Sequence, residues 1–358
     1  MEKKLRVAIN GFGRIGRIAV RVLWDKPEIE IVAINSRSKC DIYAHLLKYD
    51  SIYGPWEKEV GYKENTHLVV DGTMIPMYHK DSIDELPWST HDVDVVIEST
   101  GAFKDKASCE KHLTAGARYV LISAPGKDED ATLIYNVNHE KFDPDTHHIV
   151  SAASCTTTCL APAVAILHKH FIIKHGTVIT VHAYTNDQHL VDHPHKSESF
   201  RRSRAAAMSI VPTSTGAAKT IGKVIPELNG KLDGNALRVP VPVPSIMSFV
   251  AEVEKSTDRD TINHLFHEEK IHYPGSLDVS DIGLVSADYI KSPFGATIDT
   301  LSTAVTDGTQ VFVQAWYDNE WGYVTQLTNL LAYMGEKIKN KKDMVRVEIE
   351  QGKIVKEY

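Results

Sequence analysis

The chain is 358 residues long, 42% apolar and 24% charged, with a net charge of −7. That length suits two domains better than one, and the composition excludes disordered, fibrous and membrane-spanning classes, since no apolar run approaches the ~18 residues a bilayer requires. The 40 Lys and Arg residues are dispersed along the chain, so charge gives no reason to expect nucleic-acid binding.

Residues 5–9 read as an apolar strand directly after Met1-Glu2-Lys3-Lys4, with no apolar leader ahead of it. Ile15, Ile18, Ala19, Val22 and Leu23 then recur at the spacing of one helical face, and residues 29–34 form a second strand. Residues 93–97 and 119–122 follow as strands, with a helix at 107–115 between them. Alternation of this kind predicts a parallel sheet covered by helices. After about residue 150 the pattern changes. Residues 177–184, 245–253, 302–306 and 309–315 read as longer strands, with Asp307-Gly308 as a hairpin turn, so a second domain with a mixed or antiparallel sheet is expected. Residues 327–333 read as a closing helix. In the tail, Val345, Val347 and Ile349 alternate with charged residues, and Gln351-Gly352-Lys353 offers a turn before Ile354 and Val355. That pattern predicts a hairpin or added edge strand, the alternative being a frayed end.

Gly11-Phe12-Gly13-Arg14-Ile15-Gly16 stands between the first strand and its helix. Glycines there permit a tight turn and close backbone approach, so that a pyrophosphate can rest on the helix N-terminus, the signature of a Rossmann-type dinucleotide site. An acidic residue for the ribose 2′-hydroxyl of NAD is expected about 20 residues on, and Ser36 occupies that place. Arg37, Ser38 and Lys39 follow, so NADP is the expected cofactor, because a missing carboxylate and an added base act on the same phosphate. NAD is the alternative, with Ser36 merely capping the turn and Arg37 solvated.

The four cysteines, Cys40, Cys109, Cys155 and Cys159, are too few and scattered for a disulfide framework and read as thiols of a reducing, cytoplasmic compartment. A helix starting near Ser154 places Cys155 in its first turn, where the dipole favours a thiolate. Pro162 is expected to kink that helix. His182, late in its strand, is positioned to serve a thiolate as acid and base, although with 18 histidines in the chain the sequence alone does not bring it to Cys155.

Five runs, 8–17, 45–51, 154–162, 182–188 and 316–323, resemble the phosphorylating glyceraldehyde-3-phosphate dehydrogenase family, and the likeness spans about residues 5–335. The resemblance implies an α/β chain: a Rossmann-type parallel-sheet dinucleotide-binding domain (1–154, completed by a helix at about 320–340) and an α+β catalytic domain with a mixed or antiparallel sheet (155–319). Residues 341–358 form an extension beyond the family's usual end. By the same resemblance Cys155 attacks the aldehyde, His182 acts as its base, hydride passes to NAD(P), and phosphate releases the acyl group. Thr185 and Arg238 are implied for the substrate phosphate, Ser154, Thr156 and Thr215 for the attacking phosphate, and Arg202 between the two. For the cofactor, Gly11, Gly13, Arg14, Ile15, Gly16, Ser36, Arg37, Ser123 and Asn319 are implied. His193 is added from a neighbouring subunit of a homotetramer in which residues 189–204 reach across, while Pro194 looks like the NAD-specific form. Glyceraldehyde 3-phosphate and inorganic phosphate are the implied small-molecule partners. Thr158 stands where the family has Asn, and the loop before Arg202 is about two residues longer. Two further readings are an erythrose-4-phosphate dehydrogenase and a non-catalytic dinucleotide-binding regulator.

Overall fold

The structure, a computed structural model, describes residues 3–350, with side chains to 340. The first half of the chain gives β1 (Leu5–Asn10), α1 (Arg14–Leu23), β2 (Ile29–Asn35), α2 (Cys40–Lys48), β3 (Val60–Lys63), β4 (His67–Val70), β5 (Thr73–Tyr78), β6 (Val95–Glu98), α3 (Lys106–Thr114), β7 (Tyr119–Ile122), β8 (Ala131–Thr132) and β9 (Ile149–Ser151). These strands form one sheet in the order β3-β4-β5-β2-β1-β6-β7-β9-β8. From β5 onward the neighbours run parallel, while β3, β4 and β5 pair antiparallel as an added ribbon. The central strands read as unbroken apolar runs because helices cover both faces. The ribbon carries no such signal: Val60, Gly61, Tyr62 and Lys63 alternate weakly and stay half-exposed.

The second half gives α4 (Cys155–Phe171), β10 (Ile173–Ala183), β11 (Val211–Ser214), α5 (Ala217–Val224), β12 (Leu232–Val239), β13 (Ser245–Val253), α6 (Arg259–Glu269), β14 (Leu277–Ser280), β15 (Ala296–Thr306), β16 (Gln310–Tyr317) and α7 (Trp321–Glu350). Its strands form a mixed sheet, β11-β12-β10-β13-β16-β15-β14, with β12–β10 and β14–β15 parallel and the other pairs antiparallel. Asp307 and Gly308 both take positive φ at the tip between β15 and β16, as their sequence predicts. Pro162 denies the Thr158 carbonyl its helical partner, yet α4 continues unbroken through it to Phe171. Buried side chains surround that helix on every side, and packing outweighs the lost bond.

The tail departs from its sequence reading. Val345, Val347 and Ile349 lie not in a strand but in the last turns of α7, and residues 351–358 lie outside the described residues. Extending a helix already fixed by packing costs little per residue. A short apolar alternation among Lys, Arg, Glu and Met, good helix formers, does not outweigh that.

Helix α7 returns to the first sheet and packs there with α1, burying Val324, Leu327, Leu331 and Met334 in the same core as Leu5, Ile18 and Leu23. Arg14, at the start of α1, locks the return: its Nε lies 3.0 Å from the Glu320 carboxylate, and its Nη1 pairs with Asp50. No helix among the described residues is long and apolar enough to cross a membrane. Because Asp50 and Glu320 are largely buried, Arg14→Met should leave two uncompensated carboxylates and cost about 2–4 kcal/mol in urea unfolding.

Candidate active site

The carboxyl ends of the parallel strands converge on a cleft lined by Asn10, Gly11, Gly13, Ser36, Arg37 and Thr100 among others. Gly11 sits at φ +98°, and a Cβ there would lie 2.6 Å from the Thr100 backbone nitrogen, so only glycine closes this turn. At Gly16 a Cβ would collide with the Gly11 carbonyl. Gly13 is different. No protein atom lies within 4 Å of where its Cβ would be, which leaves open space at the N-terminus of α1, and no side chain caps that helix. Free N–H groups beside unfilled space fit a dinucleotide's pyrophosphate. The backbones of Arg14 and Ile15 belong to that first turn, whereas the Arg14 guanidinium is committed to Asp50 and Glu320.

The cleft floor is held by a buried polar network. Glu98, 1% exposed, accepts from Asn10 Nδ2 at 2.6 Å, His112 Nε2 at 3.1 Å and the Thr100 N–H at 2.8 Å. Trp88 Nε1 donates to His112 Nδ1 at 2.9 Å, so the ring's proton is on Nε2 and points at Glu98. Asn35 Nδ2 donates to Asn10 Oδ1 at 2.8 Å, and Ser123 Oγ donates to the Glu98 carbonyl at 3.0 Å. Ser36 faces inward: its Oγ accepts from the Phe12 N–H at 3.2 Å and lies 2.5 Å from the Tyr43 hydroxyl. His193 is exposed on the 187–204 loop and does not line this cleft.

Cys155 opens α4 where the chain leaves the first sheet for the second. Ala153, buried and at φ 58°, makes the turn. Ser154 Oγ then caps the helix, accepting from the Thr157 N–H at 3.1 Å, and Thr158 Oγ1 donates to the Ser154 carbonyl at 3.0 Å. Cys155 packs against both hydrophobic cores, and its Sγ lies 3.4 Å from His182 Nε2. On the opposite side of the ring, His182 Nδ1 lies 2.7 Å from the Ala183 carbonyl, an acceptor, and within reach of the Arg238 guanidinium, a donor, so its contacts are compatible with either neutral tautomer.

Arg238 stands in register with His182 on the neighbouring strand, 2.8 Å from Nδ1 and donating to the same Ala183 carbonyl at 3.0 Å. Burial first, then the guanidinium, hold His182 down to about 3. Burial pushes the Cys155 thiol up, and Arg238 with the Thr156 contacts draws it part of the way back. Both groups are therefore biased toward their neutral forms.

The other predicted residues divide by what already holds them. Thr156 is 4% exposed and shares its hydroxyl with Tyr317 at 3.0 Å; Tyr317 also meets Thr180 at 2.7 Å. Thr215 Oγ1 accepts from the Ala217 N–H at the head of α5, and Thr185 is half-buried after β10. Arg202 pairs with Asp187 and donates to Thr213 Oγ1 at 3.0 Å, with His195 and Lys196 on the same carboxylate. Arg238 keeps a buried Nε without a partner. Asn319, 5% exposed, accepts from Ser245 Oγ at 3.0 Å, which leaves its amide nitrogen to donate. Sequence reasoning missed Tyr317 and Ser245, although Tyr317 stands inside the 316–323 run. It also missed Asp81, whose carboxylate meets Arg37 at 3.0 Å. Among the described residues no group of three or more His, Cys, Asp or Glu could hold a metal ion.

An open glycine turn on a Rossmann-type sheet, in a chain that also brings a thiol at the head of α4 to an imidazole of β10, fits the class of dinucleotide-dependent oxidoreductases built around a cysteine. A family model described as "Glyceraldehyde 3-phosphate dehydrogenase, NAD binding domain" matches residues 5–106, and one described as "Glyceraldehyde 3-phosphate dehydrogenase, C-terminal domain" matches residues 154–319. Over 334 residues the chain is 48% identical to glyceraldehyde-3-phosphate dehydrogenase of Geobacillus stearothermophilus, covering 93% of this chain and 99% of that one. It is 45% identical over 338 residues to glyceraldehyde-3-phosphate dehydrogenase 2 of Bacillus subtilis (94% and 98% covered) and 46% over 337 residues to that of Streptomyces coelicolor (93% and 99%). The chain belongs to the glyceraldehyde-3-phosphate dehydrogenase family.

Because Nε2 is the nearest base to the thiol, His182→Asn should move the pH inflection of Cys155 alkylation by iodoacetamide upward, the direction in which deprotonation must wait for solvent hydroxide. An unchanged profile would separate the two residues functionally.

Proposed function

We propose that this protein catalyses the reversible phosphorylating oxidation of glyceraldehyde 3-phosphate to 1,3-bisphosphoglycerate. The observation that carries the reading is the 3.4 Å approach of Cys155 Sγ to His182 Nε2. In the oxidative direction the thiol gives its proton to Nε2 as Sγ bonds to the aldehyde carbon, making a thiohemiacetal. Arg238 and the imidazolium stand beside the oxyanion. Nicotinamide dinucleotide, bound in the cleft, supplies the hydride acceptor, with Asn319 Nδ2 placed to hold the carboxamide. The imidazolium returns its proton to the oxyanion to give the thiohemiacetal hydroxyl; His182, neutral again, takes that proton back as hydride leaves the carbon and the carbonyl re-forms, and the acyl group remains on Cys155 as a thioester. A phosphate oxygen then bonds to the acyl carbon and the thiolate leaves.

Both steps need anion sites. Arg238, with its buried unpartnered Nε, and Thr185 are the proposed holders of the substrate phosphate. Ser154, Thr156 and Thr215 are proposed for the attacking phosphate, with Arg202 between them once it exchanges Asp187 for phosphate oxygens. The 187–210 stretch exposes Leu190, Val191, Phe200, Met208 and Ile210. Exposed apolar side chains in such number support a homotetramer in which this loop, His193 included, covers a neighbour's cleft. Four free thiols support a cytoplasmic setting.

NADP is the proposed preferred cofactor, because Ser36 removes the usual carboxylate and Arg37 lines the cleft. A higher kcat/KM with NADP than with NAD is expected, with a selective loss of NADP efficiency in Arg37→Ala; a wild type that prefers NAD overturns this choice.

Cys155→Ser should abolish turnover while dinucleotide still binds, and His182→Asn should slow it by roughly 10²–10⁴-fold. Wild type deprived of phosphate should release one reduced cofactor per site and then stall as the thioester. Steady turnover without phosphate would favour water as acceptor, the erythrose-4-phosphate type of chemistry.

A further inference from the structure

The acid expected at the end of β2 is absent from the sequence there, but the fold delivers one from elsewhere. Strands β2 and β5 pair in parallel, Ile34 beside Met77 and Asn35 beside Tyr78, and the Ser36 N–H donates to the Tyr78 carbonyl at 3.0 Å. This register brings Lys80 and Asp81, just past the end of β5, to the rim that Ser36 and Arg37 form past the end of β2. All four line the dinucleotide cleft.

Both cations that line the cleft at that rim are matched. Asp81 Oδ1 sits 3.0 Å from Arg37 Nε, and Lys80 Nζ is 2.9 Å from Glu85 Oε2. Ser36 spends its hydroxyl on Phe12 and Tyr43. Among the cations that line the cleft a ribose 2′-phosphate dianion therefore finds none unpaired: to use Arg37 it must take it from Asp81 and then lie beside the displaced carboxylate. A bare 2′-hydroxyl meets the reverse situation, since it can donate to Asp81 and leave Arg37 paired. Both side chains are more than four-fifths exposed, so the ion pair is weak and opens readily.

We propose that Asp81 is a specificity-determining residue of the cofactor cleft: it supplies, from the end of β5, the 2′-hydroxyl acceptor usually carried by β2, and it restrains Arg37 against the 2′-phosphate. This rests on the reading of the cleft as a nicotinamide dinucleotide site, but not on which cofactor the wild type prefers.

The test titrates NAD and NADP into wild-type enzyme, Asp81→Asn and Asp81→Glu, following quenching of intrinsic fluorescence, with kcat/KM measured alongside. Asp81→Asn should raise the NADP:NAD affinity ratio by roughly two- to fivefold, the scale of one exposed charge contact. Asp81→Glu should keep the ratio near wild type. The gain should shrink with added salt and should be largely lost in an Arg37→Ala background. An unchanged or lowered ratio in Asp81→Asn, or equal gains for both dinucleotides, overturns the proposal. Binding without turnover would instead defeat the catalytic reading and leave the affinity ratio to decide the role of Asp81.

Discussion

Where the last strand of the chain passes into the helix that returns to the first sheet, five consecutive residues, Tyr317 to Trp321, each hold a different neighbour. Tyr317 bridges Thr156 of α4 and Thr180 of β10. Asp318 has no exposed surface and accepts from the Tyr53 hydroxyl, the Lys291 N–H and the Trp321 N–H, each at 2.8 Å. Asn319 is held by Ser245, Glu320 by Arg14, and the Trp321 ring lies 5.2 Å from that of Tyr53. A buried carboxylate is tolerated only where its lone pairs are met. The donors for Asp318 come from both halves of the chain, so the halves cannot part without stranding it. Burial still lifts Asp318 and Glu320 above ordinary carboxylates, a sign that this join is made against a desolvation cost.

The same desolvation governs the chemistry. Inside the crowded junction the thiol and the imidazole are each pushed toward their neutral forms, and Arg238 biases both: it favours a thiolate and opposes an imidazolium. Position in α4 separates its two thiols. Cys159, one turn further into α4, lies fully buried with its thiol pushed far up by desolvation, near only the Ala315 carbonyl.

Much of the site could be read without coordinates where chemistry is local. The glycine turn, the Ser154 cap and the place of Cys155 in a first helical turn each follow from neighbours a few residues apart. The central strands were legible because burial on both faces removes polar residues from them, and the added ribbon was not, because half-exposed edge strands carry mixed side chains. The tail misled for a related reason: its apolar alternation is short, and the packed helix before it set its conformation.

What the sequence determined alone is the family, the glycine turn between the first strand and its helix, and the helix that Cys155 opens. What the tertiary structure alone decided is which distant groups meet them: His182 27 residues from Cys155, Arg238 56 residues beyond His182, Glu320 306 residues from Arg14, and Asp81 against Arg37. Local rules act through backbone geometry and reach only a turn or two along the chain. Pairings over such separations depend on strand order and register, which are set by burying two whole cores at once, and no spacing within the sequence encodes them.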